Sequence, residues 1–293
     1  MDVGWLERLS LFRFALLASF TAGLVCPLVG AFLWLRRTSF YGITLPQFSA
    51  AGVVLGYVVL PWWIAAVGLG GLSLDEALGD PHTIMNYLLA WAALACLAGL
   101  SALVWLGRGG RGSETGRVAA AFALATAATY VFGRLSPVGQ SHVEELLHGE
   151  VLGVGSHECE TIVAVLLAVL ALLVVFRREL ALVSFDREFA RVLGKRVLAL
   201  EILLHCLCTL TVAAGTIIVG PTMLFGLLVL PPLAARPFAR SMGAFLLLSS
   251  AAGLLAALLG TTLSFQADLP LGAAIVAAAG LTLLPGALRR ATT

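Results

Sequence analysis

Long, uninterrupted apolar runs limit how this chain can fold more than any other feature of its sequence. A helix needs ~20 consecutive apolar residues to cross the hydrocarbon core of a bilayer, and runs of about that length recur along nearly the whole chain. A membrane β-barrel would instead have ~10-residue segments in which apolar and polar residues alternate. We therefore expect an all-α, polytopic integral membrane helix bundle of about 8–9 transmembrane helices. The candidate spans are residues 11–35, 46–70, 86–107, 117–133, 161–180, 197–218, 222–236, 242–264 and 270–288.

The composition agrees with a membrane protein and leaves room for only one domain. Hydrophobic residues make up 60% of the chain and charged residues 12%, about half the charged share of an average soluble domain. The longest stretch outside the apolar runs, residues 134–160, is about half as long as a compact domain usually is. We expect a single transmembrane domain over residues 1–293.

The basic residues predict how the helices are oriented. Lys and Arg are retained in the cytoplasmic loops of membrane proteins, and an external N-terminus places 15 of the 18 basic residues in inner loops. Only Arg8, Arg13 and Arg134 then lie outside. The sequence thus predicts an external N-terminus and a cytoplasmic C-terminus. The net charge of +2 follows from this topology and gives no reason to expect a nucleic-acid partner.

Common nucleotide-binding and catalytic motifs are missing from the sequence. Gly194-Lys195 resembles the end of a P-loop, but Phe189 stands at its first glycine and Arg196 at its Ser/Thr position. HExxH, GxSxG and paired CxxC motifs are absent as well. We expect a chain that is not an enzyme, binds no cofactor of its own and does not hydrolyse ATP by itself.

Four motifs, in order along nearly the whole chain, resemble one family of transporters. LRRTSFYG (35–42) is similar to its LRR-x-S-x-x-G pattern at the end of the first helix. RRELALVSFDREFARVLG (177–194) resembles its basic pair followed by Ser-Phe-Asp-x-Glu-x-Ala-x-x-x-Gly. VGPTMLFGLLVLPPLAARPFARS (219–241) and DLPLGAAIVAAAGLTLL (268–284) resemble two of its later helices. This is the ABC-3 family of metal-ion permeases, which take up zinc, manganese and iron in bacterial ABC importers.

The resemblance implies an ABC importer permease fold and a set of partners. Such an importer places two permease copies on two cytoplasmic ATPase subunits, and an extracytoplasmic binding protein delivers the substrate. The resemblance further implies a homodimer in a bacterial inner (plasma) membrane. Its substrate would be a divalent transition metal, zinc or manganese, or a chelate of one, moved by alternating access that ATP at the partner subunit drives.

Residues 184–196 match the part of the family pattern that docks the ATPase. Ser184 or Asp186 can cap a helix by accepting bonds from its free N–H groups. Asp186 and Glu188 also suit the positive end of the helix dipole. Gly194 permits a left-handed turn where the segment ends.

Phe185 and Phe189 are the two aromatic residues of this docking segment. Their spacing of four would place them on one helix face, able to enter a cleft of the ATPase. Ala190 completes the family pattern around them. The alternative is a solvated basic loop that the positive-inside rule alone explains.

The start of the second span departs from the family. Metal-transporting members carry Gly-Asp-x-x-x-His there, and alignment on Gly42 places Ile43 and Gln47 at the Asp and His positions. Ile43 cannot bind a metal, and the amide of Gln47 is a poor ligand for Zn²⁺ or Mn²⁺. We expect Gln47 to line the pathway as a neutral polar group, which suits a hydrated or chelated substrate.

Polar residues within the sixth span form a second candidate for the pathway. Glu201, His205 and Cys208 fall at i, i+4 and i+7 on one helix face. A charge at the membrane centre costs ~2.5–3.5 kcal/mol unless it is paired or hydrated, so the stripe is expected to face the bundle interior. Two interpretations stay open: a metal or proton relay, or a helix–helix hydrogen bond with Glu201 near the cytoplasmic end.

Prolines predict an interruption of the seventh span. Pro221, Pro231 and Pro232 should break or kink it, and broken helices often mark the pathway of a transporter. A gate at Pro221 and a purely structural kink are both consistent with this pattern.

The stretch between the fourth and fifth spans concentrates nitrogen, oxygen and sulfur ligands that suit Zn²⁺. Its spacing matches no closed tetrahedral motif, so a transient metal-receiving patch and an acidic loop that docks the binding protein are equally consistent. The candidate ligands are His142, Glu145, His148, His157, Glu158 and Cys159.

Two other functions remain open from the sequence. One is a permease of the same fold for a metallophore or another non-metal solute, in line with Ile43 and Gln47. The other is an ATP-independent secondary carrier or channel, with Glu201 and His205 as a proton relay.

Overall fold

The computed structural model describes residues 13–36, 38, 40–67, 81–107, 113–136 and 156–291, and every regular element within them is a helix. This confirms the predicted all-α fold. In chain order the helices are α1 (Arg13–Leu35), α2 (Tyr41–Val67), α3 (Pro81–Gly107), α4 (Glu114–Leu135), α5 (Ser156–Val175), α6 (Arg177–Phe185), α7 (Arg187–Val192), α8 (Val197–Ala235), α9 (Met242–Ala267), α10 (Leu271–Leu281) and α11 (Leu284–Ala291).

Six helical segments in the described part of the chain are long and apolar enough to cross a bilayer: α1, α2, α3, α4, the first half of α8, and α9. A seventh span results if α5 and α6, which are bent by 72° at their junction, are taken together. The predicted runs 222–236 and 270–288 form shorter apolar helices, Val219–Ala235 and Leu271–Gly286. The prediction of about 8–9 transmembrane helices is therefore slightly higher than the six or seven spans found in the described residues, because these two runs are helical but shorter than the ~20 residues of a full crossing.

Helix α1 lies at the centre of the bundle, and glycines let it approach its neighbours closely. Most of its residues are buried, and it packs against α5, α8 and α9. A Cβ atom at Gly30 would collide with the backbone of Leu228 in α8, and Gly23 faces Gly253 of α9 in the same manner. Small residues at such contacts let helix backbones approach, which is how helices associate in lipid.

Helix α8 changes direction at Gly220. This residue has φ 72° and ψ 160°, a backbone conformation that glycine adopts far more readily than other residues. Pro221 follows in the first turn of the second half of α8. Backbone N–H groups in a first turn have no acceptor within the helix, so proline costs no hydrogen bond there. The predicted interruption therefore lies at Gly220, whereas Pro231 and Pro232 lie within a helix that continues to Ala235.

One end of the bundle, which we call the basic end, collects most of the described arginines. The end of α1, helix α7 and the start of α8 meet at this end. Helix α11 also lies there, because Nη1 of Arg289 donates a hydrogen bond to the Pro237 carbonyl oxygen at 3.1 Å. Helix α4 starts near the end of α3, so Arg134 in its last turn lies at the opposite end with Arg13. The described basic residues at the basic end are Arg36, Arg117, Arg177, Arg178, Arg187, Arg191, Lys195, Arg196, Arg236, Arg240 and Arg289.

Candidate docking segment and substrate pathway

The predicted docking segment consists of parts of two short helices rather than one helix. Helix α6 ends with Ser184 and Phe185, and Asp186 is extended (φ −144°, ψ 103°) before α7 begins. Asp186 Oδ1 accepts a hydrogen bond from the backbone N–H of Phe189 at 2.9 Å, which satisfies one of the donors that a helix N-terminus leaves free. Asp186 is therefore the cap, while Ser184 lies inside α6 with a buried Oγ that has no hydrogen-bond partner in the described residues.

Phe185 and Phe189 are both exposed, but they do not share a helix face as their spacing predicted. Because Asp186 separates α6 from α7, the i, i+4 relation within one helix does not apply to them. Phe185 is 83% exposed and Phe189 is 51% exposed. Two exposed phenylalanines four residues apart give this segment an apolar surface, a feature that marks interaction sites.

The remaining residues of the segment anchor α7 and end it. Ala190 is fully buried in a small apolar cluster with residues of α6 and α8. Gly194 has φ 71°, the left-handed conformation predicted to end the segment. Glu188 forms an exposed ion pair with Arg191, with 2.7 Å between Oε1 and Nη1. Ala190 thus anchors α7 to the bundle, while Phe185, Glu188 and Phe189 stay exposed.

An ion-pair network, which we call the Glu201 bridge, joins α7 to two transmembrane helices. Glu201 Oε2 lies 3.0 Å from Nη2 of Arg187 in α7. Its Oε1 accepts a hydrogen bond from Nη2 of Arg36, at the end of α1, over 3.3 Å. The side chains of Arg36 and Glu201 are only 18% and 14% exposed, so removing one partner would leave a poorly hydrated charge. The sequence did not reveal this bridge, because 165 positions separate Arg36 from Glu201.

Glu201, His205 and Cys208 line one cavity of about 720 Å³ at the basic end. The structure therefore brings the predicted polar stripe together, and Arg36 and Arg187 contribute to the same cavity. Both carboxylate oxygens of Glu201 have guanidinium partners, which favours the interpretation of a helix–helix contact near the end of the bundle. Within the described residues, no three His, Cys, Asp or Glu side chains are placed to hold a metal ion.

Gly42 and Gln47 lie where α2 contacts two other helices, α8 and α4. A Cβ atom on Gly42 would lie 3.1 Å from Cγ2 of Val229, in the second half of α8. Gln47 is half-buried, and its Oε1 accepts a hydrogen bond from Oγ1 of Thr126 in α4 at 3.5 Å. The position where metal-transporting members have a histidine thus holds a neutral amide that contacts a hydroxyl group. Pro221, at the break in α8, is buried.

Only part of the predicted outer metal patch falls in the described chain. His142, Glu145 and His148 lie outside the described residues, as do the side chains of His157 and Glu158. Cys159 is fully buried at the start of α5, where its Sγ donates to a backbone oxygen of α1 over 3.4 Å. Because its thiol is directed into the bundle, Cys159 contributes to the packing of α5 on α1 rather than to an external surface.

Nearly the whole chain matches the model of one protein family. Residues 8–289 match the model of the ABC 3 transport family. The chain belongs to the ABC 3 transport family. The matched region includes all four motifs that carry the resemblance in the sequence, from Leu35 to Leu284.

Individual members of the ABC 3 family are similar over most of their length. The manganese import system permease protein ScaB of Streptococcus pneumoniae is 26% identical over 288 residues, which cover 97% of this chain and 93% of ScaB. The chelated iron transport system membrane protein YfeD of Yersinia pestis is 25% identical over 263 residues, 89% of this chain and 80% of YfeD. The solved structure of PsaBC from Streptococcus pneumoniae in complex with Fab matches with a TM-score of 0.76 at 21% identity, over 97% of this chain and 94% of that chain. The chain and PsaBC share a fold.

Membership of the ABC 3 family makes this chain a multi-pass membrane permease of a transport system. Two of the family motifs each supply one arginine to the Glu201 bridge. The motif at residues 35–42 supplies Arg36 to the Glu201 bridge, and the motif at residues 177–194 supplies Arg187. These two motifs are therefore in contact, through Glu201, at the basic end.

Proposed function

We propose that this chain is the membrane-spanning subunit of a bacterial ABC importer that moves a divalent transition metal ion, or a chelate of one. The observation that carries this proposal is the α6–α7 pair, which holds Phe185 and Phe189 exposed at the basic end of an ABC 3 family chain. A partner ATPase that binds these phenylalanines would push on α7. The Glu201 bridge would pass that movement to α1 and α8, because Arg187 lies on α7, Glu201 lies on α8 and Arg36 directly follows α1.

The basic end is assigned to the cytoplasm. Lys and Arg are retained on that side of the membrane, and Arg13 and Arg134 are the described basic residues at the other end. In this orientation the N-terminus is external and the C-terminus is cytoplasmic. Two permease copies in the inner membrane would stand on two ATPase subunits, and an extracytoplasmic binding protein would deliver the substrate at the opposite end.

A transition metal is the substrate class that the relatives support. Their names specify manganese for ScaB and chelated iron for YfeD. In this chain Ile43 and Gln47 stand where metal-transporting members have Asp and His, and Gln47 Oε1 already accepts a hydrogen bond. A neutral amide replaces little of the hydration shell of Zn²⁺ or Mn²⁺. This favours a chelated or hydrated ion over a bare one at Gln47.

Reconstitution in proteoliposomes with the partner ATPase and binding protein tests the proposal. We expect uptake of radioactive manganese or zinc, supplied free or as a chelate, only when ATP is present. Stimulated ATP hydrolysis with uptake of the chelate alone would identify the chelate as the substrate. Uptake that continues without any ATPase would instead identify a secondary carrier or channel, and the importer proposal would be wrong.

Paired alanine variants test the docking surface itself. Phe185→Ala combined with Phe189→Ala should weaken ATPase binding by ~10-fold or more, since exposed aromatic anchors dominate interface energies. Phe40→Ala is the matched control, because Phe40 also lies at the basic end and, like Phe189, is 51% exposed. An equal loss in the Phe40→Ala control would show that docking is not specific to α6 and α7.

A further inference from the structure

A second cavity at the basic end, of about 880 Å³, lies between α6 and the connection from α8 to α9. We call it the arginine cavity. Arg177 and Arg178 of α6 line one side of it, and Arg236 and Arg240 of the α8–α9 connection line the other. Trp34, near the end of α1, also lines it. Four guanidinium groups from two separate parts of the chain therefore surround one space.

These four arginines are not neutralised by the part of the chain that the structure describes. No Asp or Glu is among the described residues that line the cavity, and none of the four arginines forms an ion pair there. Glu179, beside Arg178 in the sequence, pairs with Lys195 instead, at 3.6 Å. The cavity lined by Glu201 differs, because that carboxylate forms ion pairs with both Arg36 and Arg187. The arginine cavity thus has an uncompensated positive charge that suits an anion.

The first turn of α9 adds to this positive field. Ser241, Met242 and Gly243 line the cavity, and Ser241 Oγ caps the helix by accepting the N–H of Ala244 at 3.2 Å. The N-terminus of a helix carries a partial positive charge. It supplements the four guanidinium groups, which by themselves define the cavity as a basic site.

The apolar part of the lining indicates what kind of anion fits. The guanidinium of Arg236 lies 5.2 Å from the ring centre of Trp34, and tryptophan near a helix end is typical of the membrane–water interface. Leu182 of α6 and Leu246 of α9 form further apolar walls. Leu247, the next residue along α9, is 71% exposed, so the apolar lining continues onto a surface that faces outward from the chain.

We propose that the arginine cavity binds an anionic phospholipid of the leaflet at the basic end, with its phosphate among the four arginines. Guanidinium groups match phosphate oxygens with paired hydrogen bonds, and the acyl chains would lie along the leucines of α9. A free phosphate or an acidic peptide would satisfy the charge but leave the apolar walls uncovered. Basic pockets between membrane helices commonly bind such headgroups.

A bound lipid would hold α6 against α9. Phe185 also lines the arginine cavity, so the lipid would lie next to the predicted ATPase-docking surface. The lipid site itself requires only this chain and a bilayer, and it stands whichever solute the protein transports. Only the identity of the leaflet as cytoplasmic rests on the proposed orientation.

Lipid titration of the delipidated, full-length chain in neutral detergent tests the site. Native mass spectrometry would count bound phosphatidylglycerol, and phosphatidylcholine would serve as the neutral comparison. We expect phosphatidylglycerol to bind ~10-fold or more tightly than phosphatidylcholine, and Arg236→Gln with Arg240→Gln to remove most of that preference, because hydrogen bonds to charged groups are the strong ones. Equal binding of the two lipids to the unaltered protein would overturn the proposal.

Matched variants separate this site from general surface charge. Arg134→Gln with Arg196→Gln removes the same charge from two exposed arginines elsewhere and should bind phosphatidylglycerol as the unaltered protein does. Arg236→Lys with Arg240→Lys keeps the charge and should retain most of the preference. An equal loss in the Arg134/Arg196 variant, or no loss in the Arg236/Arg240 glutamine variant, would contradict a lipid site.

Two further outcomes distinguish the lipid from other anions. Glycerol phosphate, which has the headgroup phosphate without acyl chains, should fail to displace phosphatidylglycerol at equal concentration. If it displaces the lipid, the cavity is a site for free phosphate. If the Arg236→Gln, Arg240→Gln variant binds phosphatidylglycerol normally but no longer assembles with the ATPase, the cavity belongs to the protein partner, and the lipid proposal is wrong.

Discussion

The carboxylate of Glu201 lies between two guanidinium groups, that of Arg36 directly after α1 and that of Arg187 in α7. Ion pairs exposed on a protein surface contribute little to stability, but the Glu201 side chain is only 14% exposed. Removing it would leave Arg36 and Arg187 close together without a counter-ion. A residue in this position affects both the stability of the bundle and the attachment of α7.

Replacing Glu201 by glutamine tests both effects. We expect Glu201→Gln to lower the free energy of unfolding by about 1–3 kcal/mol, since it leaves charged donors without a charged acceptor. In the reconstituted importer, ATP hydrolysis should continue while the substrate moved per ATP decreases, because Arg187 of α7 loses its tie to α8. The measurements are thermal unfolding and the ratio of uptake to hydrolysis.

Glu179→Gln is the control for this experiment. Glu179 of α6 also forms an ion pair with a basic residue, Lys195, but this pair involves neither α1 nor α8. Its replacement should leave the ratio of uptake to hydrolysis unchanged. If Glu201→Gln keeps the full ratio, the bridge only stabilises the fold and does not transmit movement.

The residues at positions 43 and 47 should determine whether a bare ion can bind. Ile43→Asp with Gln47→His introduces a carboxylate and an imidazole four residues apart, which places both ligands on one face of α2. We expect this variant to bind Zn²⁺ or Mn²⁺ measurably and to gain uptake of the free ion. Isothermal titration with each metal is the direct measurement. Ile43→Asn with Gln47→Asn places polar side chains at the same two positions but offers only amides, and metal binding by this control would show that the ligands lie elsewhere.

At the scale of single elements, the junction between α6 and α7 depends on Asp186. We expect Asp186→Ala to destabilise α7 by about 1 kcal/mol, because the N–H of Phe189 loses its acceptor. Amide hydrogen exchange should then be faster in residues 187–192 and unchanged in α8. Asp186→Asn retains a capping oxygen and should exchange almost as slowly as the unaltered protein. Equal exchange in Asp186→Ala would show that the buried Ala190 alone holds α7.

Helix existence was predictable from the sequence, whereas helix breaks were only partly so. The apolar runs predict helices because a bilayer leaves a chain few other ways to satisfy its backbone hydrogen bonds. The sequence offered Ser184 or Asp186 as the cap, and it gave no reason to separate Ser184 and Phe185 from α7. At the break in α8, the prolines drew attention to the correct region. The residue that changes direction is Gly220, whose conformation depends on the packing of the two helix halves.

The sequence could not predict the features of the candidate site that depend on contacts between residues far apart in the chain. The polar stripe of Glu201, His205 and Cys208 follows from helical periodicity, so its position on one helix face was predictable, whereas the cavity that it lines was not. Its ion-pair partners come from α1 and α7, and no local pattern encodes which helices meet. The inward direction of the Cys159 thiol likewise depends on the approach of α1 to α5.

At the scale of the whole molecule, the two ends of the bundle differ in charge, and this difference is what orients the chain in a membrane. The two cavities described above and the docking segment lie at the basic end. If that end is cytoplasmic, an ATPase can reach Phe185 and Phe189, and an inner-leaflet lipid can reach the arginine cavity. If the orientation is inverted, the ATPase cannot reach its docking surface, and the lipid would come from the outer leaflet. Orientation therefore decides both the docking assignment and the leaflet of the bound lipid.

Single-cysteine labelling measures the orientation directly. Among the described cysteines, Cys206 is exposed, while Cys26, Cys96, Cys159 and Cys208 are buried, so Cys206→Ser gives a background with low reactivity.

In that background, Val192→Cys places a thiol at the docking segment and Leu135→Cys places one at the opposite end of α4; the native residues are 83% and 66% exposed. A membrane-impermeant maleimide added to intact cells should label the cysteine at position 135 and reach position 192 only after permeabilisation. The reverse pattern would place the basic end outside the cell, against the positive-inside rule, and would separate the docking surface from the ATPase proposed for it. The lipid in the arginine cavity would then belong to the outer leaflet.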